Sequence, residues 1–431
     1  MHPVIASGSP SYAVRAVRCS HTAGDDQVYT ALRRATDPLV RAWDRLGRAR
    51  RVCIKFNQDY PPEDRVWSHG QLQQLVSARV IRATLRLLRE RTDAELCCAD
   101  TSFTQIHHGR DPLETSSALP LLREFGVEYI NANDPPLVRV EVPGGGRMFT
   151  RYWLPRRAVE ADAFVSVAKM KNHAFMGVTL CLKNLFGLMP AEPHHHSRQY
   201  FHHLVRMPYV LADLGRVFDP ALNIVDALVT QAGGEWGERP GLVTDALIAG
   251  DQAAATDACA TWLMGHNPQS DWLTPPFHRD RNALRVAAEA GFGAVDLARI
   301  DFESEVSRPL AAFYADETDP RDMVVSWRRT TAEQALCYRD NLERLVARYA
   351  GQYILLQAGH VRWHGPQSGL RRSRRELAGD RPEQALYLKY VDPDETDGEH
   401  FAVYEDALAG CARLEPSPSS RPVSGVPGSH G

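Results

Sequence analysis

The chain has 431 residues, 44% of them hydrophobic and 24% charged, which is globular material long enough for one large core and a smaller second domain. A formal net charge of −3 and a sequence pI near 6.6 supply no basic field of the kind that drives nucleic-acid binding. No apolar run nears the roughly 20 residues that cross a bilayer, and the amino terminus lacks a basic start followed by an apolar stretch. A cytoplasmic protein without a membrane partner is therefore expected.

Residues 1–45 read as an N-terminal extension, and a core domain follows over 46–300. From about residue 50, short runs rich in Val, Ile and Ala alternate with helical patterns. That alternation predicts an α/β fold, a mostly parallel sheet wrapped by helices. The predicted strands are Val52–Phe56, Glu95–Ala99, Val127–Ile130, Ala163–Ala168, Leu222–Val225 and Ala246–Ala249. Between the first two, Leu72, Leu75, Val76, Val80, Leu85 and Leu88 recur near helical period and predict a crossover helix. Leu137–Pro155 carries two apolar runs around Gly144, Gly145 and Gly146, which predicts an inserted β-hairpin. Ala253–Met264 reads as a helix with Asp251 as its N-cap.

Residues 301–335 read as linker and peripheral helix. Over 336–408 the pattern predicts a small α+β accessory domain with a helix at Tyr338–Tyr349 and strands around Tyr353–Leu356, His360–Trp363 and Ala385–Val391. Residues 409–431 read as a tail, Pro-, Ser- and Gly-rich and disordered from Glu415. Eight scattered cysteines, Cys19, Cys53, Cys97, Cys98, Cys181, Cys259, Cys337 and Cys411, form no CxxC pair and read as reduced, mostly buried thiols.

In open parallel sheets ligands bind beyond the carboxyl ends of the strands. Here those ends run into Asn57, Gln58 and Asp59; Asp100, Thr101 and Ser102; Asn131 and Asn133; Lys169, Lys171, Asn172 and His173; Asp226; and Asp251. Asp, Asn, Ser and Thr also cap helices and build turns, so the fourth end is the informative one. Lys169, Lys171 and Lys183 fall close together in a chain that otherwise favours arginine, and lysine supplies point-charge contacts to a carboxylate or phosphate. A helix from near Gly177 through Thr179–Leu188 would turn its amide dipole toward the same space. His173 lies within this segment, and His194, His195, His196, His202 and His203 follow without a zinc-site spacing. The glycines of Gln231–Gly241 lack the spacing of a phosphate loop and read as a flexible cover. No GxSxG elbow is present. The run Arg371, Arg372, Arg374 and Arg375 reads as a solvated helix face.

The stretch VSVAKMKNHAFMGVTLCLKNLFGLMP resembles the central motif of the bacterial and archaeal domain of unknown function 362 family. Lys169, Lys171, His173, Gly177, Val178, Thr179, Lys183, Asn184 and Gly187 match that pattern, with Ala168 in place of the usual proline. Similarity extends over about residues 50–265, through VCIKFNQ, NIVDAL and IAGDQAAATDACATWLMG, where Asp251 and Asp257 match. Some members carry an iron–sulfur cysteine module, and this chain has no such motif. YAGQYILLQAGHVRWHG is similar to a small module of unknown function numbered 5678.

These residues predict an enzyme acting on a small anionic substrate, carboxylate- or phosphate-bearing, with lyase or isomerase, transferase, hydrolase and iron-dependent oxidation chemistry all open and bacterial specialised metabolism as the setting the resemblance implies. The alternative is a non-catalytic binding or delivery module for an anionic metabolite or cofactor. The expected catalytic residues are His173, Lys171 and Lys183. Substrate contacts are assigned to Lys169, Asn184, Thr179, Asn57 and Asp100. A divalent metal is left open, with His173, His194, His196, Asp226 and Asp251 as its ligands, and so is a homo-oligomer.

Overall fold

A computed structural model describes residues 12–101, 109–190, 198–235, 237, 239–378 and 386–414. Its strands in the first half are β1 (Tyr12–Arg18), β2 (Arg51–Phe56), β3 (Trp67–Ser68), β4 (Gln71–Leu72), β5 (Glu95–Asp100), β6 (Glu128–Asn131), β7 (Leu137–Glu141) and β8 (Arg151–Pro155). Next come β9 (Ala163–His173), β10 (Gly177–Thr179), β11 (Leu222–Gln231), β12 (Leu242–Gly250) and β13 (Ile300–Ser304). Helices α1 (Asp25–Thr36), α2 (Val40–Arg48), α3 (Ala78–Arg91), α4 (Cys181–Asn184), α5 (Arg206–Phe218) and α6 (Ala253–Leu263) bear most on the site.

The central sheet runs β13-β1-β12-β11-β9-β2-β5-β6, with β10 paired to β9. Strands β6, β5, β2, β9 and β11 are mutually parallel. The fold is thus the expected α/β sheet. β7 and β8 form a separate antiparallel hairpin, as the two apolar runs predict. On one face Val52, Ile54, Val165, Val167 and Ile224 pack against Val28 and Leu32 of α1 and Val80 and Leu88 of α3. On the other, Ala168, Met170 and Val225 pack against Ala255, Ala258 and Cys259 of α6. Burial on both faces explains why these strands read as continuous apolar runs.

Three differences from the sequence reading matter. First, β12 is antiparallel to β11, with Asn223 opposite Gly250. Its carboxyl end therefore lies beside the amino end of β11, at the far edge of the sheet from the other polar strand ends. Second, β1 lies between β12 and β13 within the sheet, so Tyr12–Arg18 is core strand rather than extension. Third, the crossover helix starts only at Ala78. Ahead of it, the short hairpin β3–β4 and residues 73–77 form a strap, tied down by bonds from Gln73 Nε2 to the carbonyls of Gly237 (3.3 Å) and Arg239 (2.7 Å).

The C-terminal region contains α7 (Arg321–Asp340), α8 (Leu342–Tyr349), β14 (Tyr353–Gln357), β15 (His360–Gly365), α9 (Gln367–Ala378), β16 (Tyr387–Tyr390) and α10 (Ala402–Ala412). Its three strands form the antiparallel sheet β15-β14-β16. α7 occupies part of the expected linker, and α10 continues past residue 408. Residues 415–431, read as tail, lie outside the described residues. All eight cysteines are free thiols, and every one except Cys337 is buried.

Candidate functional site

The chain contains five lysines, Lys55, Lys169, Lys171, Lys183 and Lys389, and its remaining basic residues are all arginine. Lys55, Lys169, Lys171 and Lys389 are buried and Lys183 is half-buried. Most described arginines are exposed or half-buried, with Arg206, Arg328 and Arg374 as buried exceptions, whereas none of the five lysines is exposed. Three of the five meet at the carboxyl edge of the parallel strands.

Lys169 and Lys171 stand inside strand β9, not in a loop after it. Side chains alternate along a strand, so Lys169, Lys171 and His173 continue the face begun by Val165 and Val167. Past the sheet, β9 turns back into β10, which sets Gly177 opposite His173 and Thr179 opposite Lys171. Gly177 makes this turn with φ +77°, and a Cβ there would lie 2.7 Å from the Phe277 ring. On the other side, Gln231 of β11 stands in register with Lys171. Lys171, Thr179 and Gln231 therefore line up across three adjacent strands.

The lysines differ in how they are neutralised. Lys55 Nζ lies 2.9 Å from Asp100 Oδ1 and 3.3 Å from Asn184 Oδ1. Lys169 Nζ lies 3.1 Å from Asp226 Oδ2, and both side chains are fully buried. Asp226 also accepts the amides of Ser77 (2.7 Å) and Leu228 (3.1 Å). Burial pulls the Lys169 pKa down, and Asp226 opposes that shift. Lys171 Nζ instead donates to a main-chain carbonyl, Gln74 O, at 2.9 Å. Among the described residues no carboxylate lies within ion-pair distance of it. Burial pushes the Lys171 pKa down to about 8; Glu235 opposes that shift, while Lys169 and Lys55 add to it.

His173 Nδ1 accepts the amides of Phe175 (3.1 Å) and Met176 (3.3 Å), so in the neutral ring the proton sits on Nε2. Glu235 Oε2 lies 3.4 Å from the same Nδ1 and is held by the Ala174 amide at 3.0 Å. That bond holds Glu235 beside this corner, and Gly237 and Arg239 are tied to Gln73 of the strap. The sequence marked Gln231–Gly241 as a cover but not its glutamate as a partner of His173.

Several sequence-predicted residues stand elsewhere or serve the frame. The helix bearing Lys183 begins at Cys181, not near Gly177. Its first amides, Cys181 N and Leu182 N, are bound by the Asp257 carboxylate at 2.9 and 2.7 Å. The anion at this helix start is thus the chain's own. Burial raises the Asp257 pKa to about 7 although both amide bonds lower it. Lys183 stands over the Phe186 ring and lines a cleft with Met176, Leu182, Leu211, Asp257 and Leu284, a set without Lys169 or Lys171. Asn184 is a clip: its Nδ2 approaches Lys55 O (2.8 Å), Ser166 Oγ (3.0 Å) and Val167 O (3.3 Å).

Asp251 is corrected outright. With β12 antiparallel it sits at the opposite edge, 2.9 Å from Arg41 Nη2 and bound by the Ala13 amide. It does not cap α6 either, since the Gln252 side chain does so through Ala255 N. Asp226 is committed to Lys169. His194, His195 and His196 lie outside the described residues. His202 lies against the rings of Phe175 and Phe186, whereas His203 is buried against Leu386 O. Among the described residues no group of three His, Cys, Asp or Glu side chains is placed to hold a metal ion. The expected metal set therefore does not assemble from His173, Asp226 and Asp251.

Fold and edge together define an α/β protein whose parallel strands end in a buried, lysine-rich corner. Residues 52–262, which carry β2 through nearly all of α6, match the family described as Domain of unknown function (DUF362), and this segment belongs to that family. A thylakoid-associated protein of Synechocystis sp. is 27% identical over a 225-residue alignment that covers 45% of this chain and 68% of that protein. Among the described residues no helix is long and apolar enough to cross a membrane.

Proposed function

We propose that the corner formed by β9, β10 and β11 is the active site of an enzyme acting on a small anionic substrate. The observation that carries this reading is Lys171, a buried ammonium group whose hydrogen-bond partner among the described residues is a main-chain carbonyl, in a chain that buries four of its five lysines. An unneutralised buried charge is costly, and an incoming anion removes that cost.

The chemistry would be proton transfer. Lys171, with its pKa near 8, exchanges protons close to neutral pH. The neutral His173 ring carries its proton on Nε2. When Nδ1 takes up a proton it turns from acceptor to donor, and Glu235 is the carboxylate beside it. Lys55–Asp100 and Lys169–Asp226 act as neutral, rigid walls.

A thermal-shift screen of small carboxylates and phosphates, run in parallel on Lys171→Met, tests the reading. Stabilisation by anions that disappears in the variant is expected, and anion effects equal in both proteins would sink it. A binding module would need Lys171 and not His173. Loss of turnover with retained binding in His173→Ala would mark catalysis.

A further inference from the structure

Around Lys171 four buried polar atoms have no hydrogen-bond partner among the described residues: Gln231 Oε1, Thr179 Oγ1, Ser77 Oγ and Asn57 Oδ1. Gln231 and Thr179 flank Lys171 in register. Ser77 and Asn57 belong to the strap side, where Val76 N bonds Asn57 O and the Ser77 amide bonds Asp226. Folded proteins pair nearly all buried polar groups, so several orphans in one corner signal a ligand with matching groups.

The chemistry of the orphans states what that ligand carries. An ammonium group has three donors, and Gln74 O takes one from Lys171. The others require acceptor oxygens. Gln231 Oε1 is purely an acceptor, and its orientation is fixed because Nε2 donates to Gly234 O. It requires a donor. Neighbouring strands stand about 4.8 Å apart, so the groups met by Lys171 and Gln231 belong to one small molecule.

Charge narrows the choice. Lys55 and Lys169 are already neutralised by Asp100 and Asp226, and the Glu235 carboxylate also acts on Lys171 from beside His173, which leaves at most one positive charge for the ligand and favours a monoanionic carboxylate over phosphate. A donor beside three lysines is better a neutral hydroxyl than a second ammonium.

Resting on the active-site reading above, we infer that the substrate is a small 2-hydroxy carboxylate. The carboxylate lies against Lys171, and the hydroxyl donates to Gln231 Oε1, with Thr179 Oγ1 alongside.

Calorimetric titration of the intact protein with acetate, glycolate, glycine and inorganic phosphate decides the matter, because the three organic acids differ only at carbon 2. Glycolate is expected to bind at least about tenfold more tightly than acetate, about 1.4 kcal/mol, and more tightly than glycine or phosphate. Gln231→Leu is expected to bring glycolate down to the acetate level without changing acetate. Equal binding of glycolate and acetate by the wild-type protein would overturn the 2-hydroxy assignment and leave the anion site standing. Binding of none of the four would overturn both. Tighter binding of glycine or of phosphate would overturn the choice of hydroxyl or of carboxylate respectively. A glycolate preference undiminished in a folded Gln231→Leu protein would remove the role given to Gln231. The wild-type comparison stands whether or not that variant folds.

Discussion

Lys169 Nζ lies 3.1 Å from Asp226 Oδ2 on the neighbouring strand, and neither side chain has exposed surface. The two stand in register on β9 and β11, so the pair fastens the strands at the last regular position before their register shifts. Removing one partner strands the other as a buried charge, which costs about 3–5 kcal/mol. Lys169→Met is expected to lose that much stability in urea unfolding. Adding Asp226→Asn should recover part of the loss, since the amide keeps an acceptor for the Ser77 and Leu228 amides without the charge. Strictly additive losses would contradict the pairing.

Lys171 gives a pH signature. Its pKa falls from the ordinary 10.5 to about 8 on folding. Between those values the unfolded chain holds a proton that the folded chain has released. Stability therefore rises with pH across this window, and below about pH 8 the buried charge exerts its full cost. In Lys171→Met that cost disappears. The melting-temperature difference, wild type minus variant, should grow from pH 7.5 to pH 10. A flat difference would mean that the amine is not desolvated.

The parallel core was legible because β2, β5, β9 and β11 are buried on both faces and read as apolar runs of strand length. The direction of β12 was the costly omission, since it moved Asp251 to the wrong edge. The predicted strand bounds left residues 226–245 free for a crossover, whereas the observed strands are longer and leave only 232–241, too few for the dozen or more residues that parallel neighbours need. Lys169, Lys171 and His173 carry the period of two that marks a continuing strand. β1 was harder, because YAVRAVR places Arg15 within the strand, and the salt bridge that accommodates it, to Asp301, is far away in sequence. Lys55 was passed over inside VCIKFNQ, although a charge in the middle of a buried strand is a signal in itself. Glu235 and Gln231 became visible only once register placed them beside His173 and Lys171.

Gly187 is closely packed against the Lys55–Asp100 pair. A Cβ there would lie 2.3 Å from Lys55 Cε and 2.9 Å from Asp100 Oδ1. Gly187→Ala must displace the lysine from its carboxylate and is expected to cost about 1–3 kcal/mol as overpacking. On a Lys55→Ala background the two closest contacts are gone and only the one to Asp100 Oδ1 remains, so the same substitution should cost less. Such non-additivity is the mark of direct contact, and equal costs on the two backgrounds would refute it.

Arg206 fastens the C-terminal sheet to the core. It is fully buried, with Nη2 at 3.1 Å from Glu399 Oε1, Nη1 at 2.9 Å from Leu388 O and Nε at 2.8 Å from the Tyr404 hydroxyl. Burial alone would raise the Glu399 pKa, but Arg206 and Lys389, the latter 2.7 Å away, hold it below the usual carboxylate range. Because that pKa is depressed, the stabilisation is present above the unfolded carboxylate value and is lost as pH falls through the folded one. Arg206→Met leaves Glu399 with Lys389 and the Tyr387 and Tyr404 hydroxyls and takes the guanidinium donor from Leu388 O, for an expected loss of about 3–5 kcal/mol. Urea unfolding monitored from neutral pH down to pH 3 checks both parts. The gap between wild type and variant should be widest near neutrality and close as Glu399 protonates, and a gap independent of pH would show that packing, not the ion pair, holds the two regions together.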